Sequence, residues 1–275
     1  MIPRDLSCVA RIRAIALDLD GVVYVGSSPL TGAVEAVNKI VDLGISVYFA
    51  TNNSSRTRAE IAQKLTYMGI PATEKQVLTS GYAAGMLISR LCHPRSAHVL
   101  VIGSAGLRDE ISRLGAQPVS DASQPCEFLV VGLDMEFTYP KISAGLDALM
   151  GGATFIACNR DGKFPVEGNR FLPGCGAMVA AIEATWGKGP DYEVGKPDTM
   201  FLEIISAETG LKSDEILVVG DSPESDIVMS NRYDSPSVLI TSSLVDHSNE
   251  SFSADFEPTL RLSTLSELRD LLAIR

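Results

Sequence analysis

Acidic side chains directly follow two apolar runs of this chain. Asp18 and Asp20 come after residues 12–17, and Asp221 comes after residues 216–219 and a glycine. Carboxylates that converge repel one another, and a divalent cation is the natural way to keep them ionised together. Oxygen ligands without a nearby His or Cys favour Mg²⁺. The pattern therefore predicts a magnesium site.

Groups suited to a phosphate stand at comparable places. Thr51 and Asn52 follow the apolar run 45–50, and Lys196 precedes a helix that we predict to open at Pro197. A helix start offers free N–H groups and a partial positive charge, and both favour a bound phosphate. Together with the carboxylates and the cation, a hydroxyl and a lysine indicate phosphoryl transfer.

The elements that must position these groups alternate between strand and helix. The order at the start is β-α-β-α, which is typical of a parallel sheet covered by helices. Ligands bind beyond the carboxyl ends of such strands, where the polar groups stand. The predicted strands are 12–17, 45–50, 99–102, 128–131, 154–157, 216–219 and finally 237–241; the middle helices are 106–114, 140–150 and 176–186; residues 242–258 are predicted as a loop, before a C-terminal helix marked by Leu265 and Leu268.

The middle of the chain has enough α/β pattern for a core of its own. We therefore predict two domains, a parallel-sheet core from residues 1–80 plus 187–275 and an inserted α/β domain from residues 81–186.

Composition excludes several classes of protein. The 275 residues carry a net charge of −11 and are 45% hydrophobic, which argues against a disordered chain and against nucleic-acid or anionic-membrane partners. The five cysteines are scattered without a CxxC pair, so they predict neither a zinc site nor a disulfide framework. Without a leader pattern or an apolar run near ~20 residues, the sequence predicts a cytoplasmic protein.

Four motifs in order resemble the haloacid dehalogenase-like superfamily. They are Asp18-Leu19-Asp20-Gly21-Val22-Val23, Thr51-Asn52-Asn53-Ser54, Gly195-Lys196-Pro197 and Gly220-Asp221-Ser222-Pro223-Glu224-Ser225-Asp226. The second motif, with Asn159-Arg160-Asp161 and Pro173-Gly174-Cys175-Gly176, resembles the NagD-like and p-nitrophenyl phosphatase-like members. The resemblance implies a Rossmann-like parallel-sheet core with an inserted α/β cap.

The resemblance also implies roles in a Mg²⁺-dependent phosphatase. Asp18 would be the nucleophile and form an aspartyl-phosphate. Asp20 would protonate the leaving alcohol and then deprotonate water. Thr51, Asn52 and Lys196 would bind the phosphate. Mg²⁺ would be held by Asp18, by the Asp20 carbonyl and by Asp221, and Asp226 would orient these ligands.

For the cap, the resemblance implies that the loop 159–165 reaches over the core. Asn159, Asp161 and Phe164 would then select among small phosphate esters, although an ordinary turn remains an alternative. The family's substrates include sugar phosphates, glycerol phosphate, phosphoglycolate and nucleotides, and homodimers are common in it.

Other interpretations stay open at this point. The two early aspartates also fit a turn of the response-regulator type. A phosphate-ester-binding regulatory protein and a phosphotransferase acting on a second hydroxyl would both use the same scaffold. Ser222 and Ser225 stand where the family usually has Arg and Thr, so the packing of that loop is in question.

Overall fold

The computed structural model describes residues 9–93, 97–120, 124–166, 170–241 and 253–274. The chain divides into two compact units. Unit 1 is Met1–Thr51, Ala62–Val77 and Lys196–Arg275, and unit 2 is Asn52–Ile61 and Leu78–Gly195. The domain limits predicted near residues 80 and 187 stay a prediction.

The secondary structure alternates as expected. The strands of the described residues are β1 (Ala14–Leu17), β2 (Tyr24–Val25), β3 (Ser28–Pro29), β4 (Ser46–Thr51), β5 (Val77–Thr79), β6 (His98–Ile102), β7 (Gln117–Val119), β8 (Phe128–Val131), β9 (Thr154–Ala157), β10 (Lys163–Val166), β11 (Arg170–Pro173), β12 (Tyr192–Glu193), β13 (Ile216–Gly220), β14 (Ser237–Ile240) and β15 (Leu260–Leu262). The helices are α1 (Ala33–Asp42), α2 (Arg58–Tyr67), α3 (Ser80–Leu91), α4 (Ala105–Arg113), α5 (Tyr139–Met150), α6 (Cys175–Trp186), α7 (Met200–Thr209), α8 (Val228–Arg232) and α9 (Leu265–Leu272).

A six-stranded sheet in the order β15-β14-β13-β1-β4-β5 forms the centre of unit 1. β1 pairs in parallel with β13 on one side and with β4 on the other. Every residue of β1 and β13 is buried, as expected for a parallel sheet covered on both faces. From β1 the chain continues to one side and returns later to the other, so the strand order reverses at β1. Such a switch point opens a crevice at the carboxyl ends of the strands.

A tight turn follows β1 and depends on a glycine. The Leu19 carbonyl accepts N–H bonds from Val23 and Tyr24 at 2.9 and 3.1 Å, which folds the chain back into the β2–β3 hairpin. Gly21 has φ +86°, and a Cβ there would collide with the carboxylate of Asp221. Only glycine allows both this backbone angle and this approach.

A five-stranded sheet in the order β12-β9-β8-β6-β7 forms the centre of unit 2, and all of its pairs are parallel. β8 is fully buried, and α5 and α6 supply buried positions around it. The mixed α/β fold with two parallel sheets confirms the predicted fold class. Of the four described cysteines, Cys158 and Cys175 are buried, and none of the four forms a disulfide.

Three local predictions are wrong. The helix does not open at Pro197, because the Asp198 side chain accepts the N–H of Met200 at 2.9 Å and α7 begins there. The strand after α8 is not the last, since β15 pairs with it. The loop prediction for 159–165 fails from Lys163 onward, where β10 pairs with β11. Proline is tolerated in β10 because a two-stranded ribbon has only edge strands.

The predicted loop 242–258 falls partly outside the described residues, which resume at Ser253. Its described part contains a short 3-10 turn, Ala254–Phe256. Within the described residues, none of the helices combines the length and the apolar character needed to cross a membrane.

Candidate active site

Asp18 and Lys196 form the centre of the candidate site in unit 1. Asp18 follows β1 directly, and its N–H extends the ladder to the Val219 carbonyl at 2.8 Å. The Lys196 ammonium donates to Asp18 Oδ1 at 2.6 Å and to Asp226 Oδ1 at 2.7 Å. The side chains of Lys196 and Asp226 are 3% and 2% exposed, so this bridge lies out of water. The lysine therefore fixes two carboxylates that are far apart in sequence.

Charge balance explains the protonation tendencies of these groups. Burial alone would lower the pKa of Lys196, but Asp18 and Asp226 outweigh burial and raise that pKa, so the ammonium stays charged. Burial raises the pKa of Asp226; Lys196 opposes this rise, and the Asp18 carboxylate adds to it. The carboxylates are held close together against their mutual repulsion.

The chemistry of this cluster fits a divalent cation. One carboxylate oxygen from each of Asp18, Asp221 and Asp226 lies within 4.8 Å of the other two. Three carboxylates and one ammonium leave a formal charge of −2, which one divalent ion would balance. Hard oxygen donors suit Mg²⁺ or Ca²⁺ rather than a softer metal. The residues present therefore fit the predicted metal.

The loop after β13 is closed by hydrogen bonds, although it carries serines where the family usually has Arg and Thr. A π-helical turn, Pro223–Ile227, follows Ser222. Ser222 Oγ accepts the Ser225 N–H at 3.3 Å, and the Ser222 N–H donates to Asp226 Oδ2 at 3.2 Å. This turn brings Asp226 back beside Gly220, where a Cβ would collide with the Asp226 carboxylate. Sequence reasoning gave Asp226 only an orienting role; the turn also makes it a possible ligand.

Thr51 and Asp20 reach the same edge of the sheet. Thr51 ends β4 and is 2% exposed. Leu17 of β1 pairs in parallel with Phe49 of β4 and with Val219 of β13. Thr51 and Asp18, which come after these paired residues, therefore both lie at the carboxyl edge of the sheet. Asp20 is half-buried in the turn after β1, and its backbone forms an isolated β-bridge with that of Tyr24.

The remaining predicted residues lie in unit 2. The Asn52 amide donates to Asp161 Oδ2 at 3.0 Å, and the Asn159 amide donates to the Asn52 carbonyl at 2.7 Å. Phe164 lies in β10, half-buried, opposite Leu172. The structure thus brings Asn52, Asn159 and Asp161 together, and Phe164 lies on the β10–β11 hairpin.

Comparison with known proteins gives consistent matches along the chain. The family model described as haloacid dehalogenase-like hydrolase matches residues 15–117, and a second HAD-hydrolase-like model matches residues 193–268. The 5'-nucleotidase YutF of Bacillus subtilis is 34% identical over 252 residues, which cover 91% of this chain and 95% of that protein.

Solved structures agree. A p-nitrophenyl phosphatase from Archaeoglobus fulgidus superposes with a TM-score of 0.84 at 28% identity, covering 94% of this chain and 98% of that one. A glycerol phosphate phosphatase from Mycobacterium tuberculosis, in complex with magnesium, superposes with a TM-score of 0.84 at 29% identity, covering 98% of this chain and 80% of that one.

These matches confirm the predicted family, fold class and enzyme class, a phosphoric monoester hydrolase. They cover the segments that carry the four motifs as well as the middle of the chain. The chain belongs to the haloacid dehalogenase-like hydrolases, in the group of p-nitrophenyl phosphatase-like and NagD-like enzymes.

Proposed function

We propose that this protein is a Mg²⁺-dependent phosphatase that hydrolyses small phosphate monoesters through an aspartyl-phosphate on Asp18. The observation that carries the proposal is the cluster of Asp18, Asp221 and Asp226 around Lys196 at the switch point of a parallel sheet. The relatives named above act on a nucleotide, p-nitrophenyl phosphate and glycerol phosphate by their names.

The first half-reaction uses the carboxylate of Asp18. It attacks phosphorus while the ester P–O bond breaks, and the leaving oxygen takes the proton of Asp20. Lys196 keeps the Asp18 carboxylate oriented, and Thr51 binds phosphoryl oxygens at the end of β4. A cation held by Asp18, Asp221 and Asp226, with the Asp20 carbonyl, would supply positive charge to the phosphoryl group.

The second half-reaction returns the enzyme to its starting state. Asp20, now ionised, takes a proton from water, and the water oxygen attacks phosphorus. The bond between phosphorus and the Asp18 oxygen breaks, inorganic phosphate leaves, and both aspartates recover their first protonation states. One water is consumed for each ester.

The test measures both products of each ester. Purified protein is assayed with Mg²⁺ or with EDTA on nucleoside monophosphates, sugar phosphates, glycerol phosphate, phosphoglycolate and p-nitrophenyl phosphate. Equal yields of alcohol and inorganic phosphate, lost in EDTA, support hydrolysis. Less phosphate than alcohol in the presence of an acceptor sugar indicates transfer to a second hydroxyl instead. No release from any ester contradicts an enzyme and favours a binding role.

A separate variant tests the role of Asp20 as the general acid. Asp20→Asn removes the proton donor, so alkyl phosphates should lose far more activity than p-nitrophenyl phosphate, whose leaving group needs little protonation. Equal losses for both substrates would contradict this role for Asp20.

A further inference from the structure

Residues 52–58 lie along the carboxyl edge of the unit 2 sheet. Three residues that follow neighbouring strands of this sheet each bond to the segment. These bonds are Ser104 Oγ to the Ser55 carbonyl at 2.7 Å after β6, the Leu133 N–H to Ser54 Oγ at 2.8 Å after β8, and the Asn159 amide to the Asn52 carbonyl at 2.7 Å after β9.

Glycines on the same edge make room for the segment. A Cβ on Gly106 would lie 2.5 Å from the Ser55 carbonyl oxygen, and one on Gly132 would lie 3.0 Å from Ser54 Oγ. A Cβ on Gly195 would lie 2.6 Å from Asn52 Oδ1. The edge at which a parallel sheet usually binds a ligand is thus filled here by the chain itself.

Asn52 is held both at its carbonyl and at its side-chain amide. Its carbonyl also accepts Ser80 Oγ at 2.9 Å, and its amide nitrogen donates to Asp161 Oδ2 at 3.0 Å. Asp161 is fixed in turn, since its N–H donates to Asn159 Oδ1 at 3.0 Å. Asn159 is only 4% exposed, and both ends of its amide are used within unit 2.

We propose that Asp161 and Asn159 are positioning residues that hold the backbone and the amide of Asn52. Asn52 is itself a predicted phosphate-binding residue and directly follows Thr51 in the chain, so these two residues would fix a predicted phosphate ligand and the backbone next to a second one. The inference rests on the proposed phosphatase function. It differs from the expectation that these two residues select substrates, because a positioning residue affects every ester alike.

The test compares Asp161→Ala with a matched control. Asp191 lies near the opposite end of β9, where its carboxylate accepts the Phe155 N–H at 2.8 Å. Asp161→Ala should lower kcat about tenfold, by the same factor for p-nitrophenyl phosphate, glycerol phosphate and a nucleotide, with KM nearly unchanged. Asp191→Ala should change kcat less than about twofold. Phe164→Ala should shift kcat/KM unequally among the natural esters and largely spare p-nitrophenyl phosphate.

Two further variants separate positioning from a general structural role. Asp161→Asn keeps an oxygen that accepts the Asn52 amide, so it should recover most of the lost kcat. The double variant Asn52→Ala/Asp161→Ala should be no slower than Asn52→Ala alone, because each change by itself already removes the same hydrogen bond between the Asn52 amide and the Asp161 carboxylate. Additive losses, or factors that differ between substrates for Asp161→Ala, would overturn the proposal.

Hydrogen–deuterium exchange gives a readout that does not need activity. In Asp161→Ala, amides of a peptide covering residues 52–56 should exchange faster, while peptides from β6 and β8 keep their protection. Unchanged exchange in 52–56 would overturn the proposal. A wild-type protein that hydrolyses no ester would contradict the proposed function, and the exchange result would still decide whether Asp161 holds the segment.

Discussion

The carboxyl edges of the two parallel sheets carry different chemistry. In unit 1, β1 and β13 end at Asp18 and Asp221, and Lys196 brings in a buried positive charge. In unit 2, the edge after β6, β8 and β9 holds residues 52–55 through hydrogen bonds from Ser104, Leu133 and Asn159 and through glycine contacts. The same backbone geometry therefore carries the proposed catalytic cluster in one sheet and holds a chain segment in the other.

The comparison teaches that strand ends alone do not make a site. Asp134 in unit 2 also follows a strand of a parallel sheet, as Asp18 does in unit 1. Its carboxylate, however, accepts the Glu136 N–H at 2.9 Å and the Lys141 ammonium at 2.7 Å, and it is 4% exposed. An aspartate satisfied in this way stabilises a turn, whereas Asp18 shares the Lys196 ammonium with Asp226 and lies in a cluster of three carboxylates.

Replacing the two aspartates should give the largest contrast. Asp18→Asn keeps the shape but removes the nucleophile, so we expect turnover to fall about a thousandfold or more. Asp134→Asn should leave turnover within about twofold of wild type. Circular dichroism checks both folds. Activity of Asp18→Asn above about a hundredth of wild type would remove Asp18 from the nucleophile role.

Removing a cation that pairs with a buried carboxylate should cost more stability in unit 1 than in unit 2. Lys196→Met leaves two buried carboxylates, Asp18 and Asp226, without the ammonium that they share. We expect the free energy of unfolding to fall by about 3–5 kcal/mol in EDTA. Arg58→Met in unit 2 removes the guanidinium from Glu110. The backbone N–H of residue 58 still donates to Glu110 Oε2, at 3.0 Å in this structure, so a loss of about 1–2 kcal/mol is expected. Urea unfolding measures both values.

The control for the Lys196 variant removes one of the two carboxylate charges that lost the lysine. Adding Asp226→Asn to Lys196→Met should recover part of the lost stability, because one buried carboxylate is then neutral. Equal losses for the Lys196 and Arg58 variants would contradict the contrast between the units.

The metal requirement should change only with the unit 1 cluster. Asp221→Ala removes one of three carboxylates, and the Mg²⁺ concentration for half activity should rise at least about tenfold. Asp161→Ala in unit 2 should leave that concentration unchanged. Ca²⁺ should inhibit, because its looser and higher coordination disturbs in-line attack. Titrations of activity with Mg²⁺ measure the effect, and an unchanged requirement in Asp221→Ala would place the metal elsewhere.

The smallest effect concerns packing at the unit 2 edge. Alanine is the better helix former, yet Gly106→Ala in α4 should destabilise by about 1–3 kcal/mol because the new methyl meets the backbone of residues 55 and 56. Gly162→Ala, where a Cβ meets open space, should stay within about 0.5 kcal/mol. Thermal unfolding compares the two. A stabilising Gly106→Ala would contradict the close packing of this segment.

Most of the long periodic elements were predictable, and the short hairpins were not. The strands and helices that were predicted for the middle section are confirmed to within one residue at each end, because buried strands and amphipathic helices leave continuous patterns, but the helix α3 at its start was not predicted. The hairpins β2–β3 and β10–β11 span two and four residues per strand, too short for a period to show. Their pairing depends on a partner strand that local sequence does not reveal.

The sequence by itself determined the family and the identity of the polar groups at the strand ends, since the four ordered motifs are written in consecutive residues. Only the tertiary structure decided that Lys196 joins Asp18 to Asp226, over 178 and 30 residues of chain. It also decided that Asn159 and Asp161 hold Asn52, more than a hundred residues away. The physical reason is that these contacts come from sheet order and from a π-helical turn. Both are set by packing between distant segments, which leaves no local pattern in the chain.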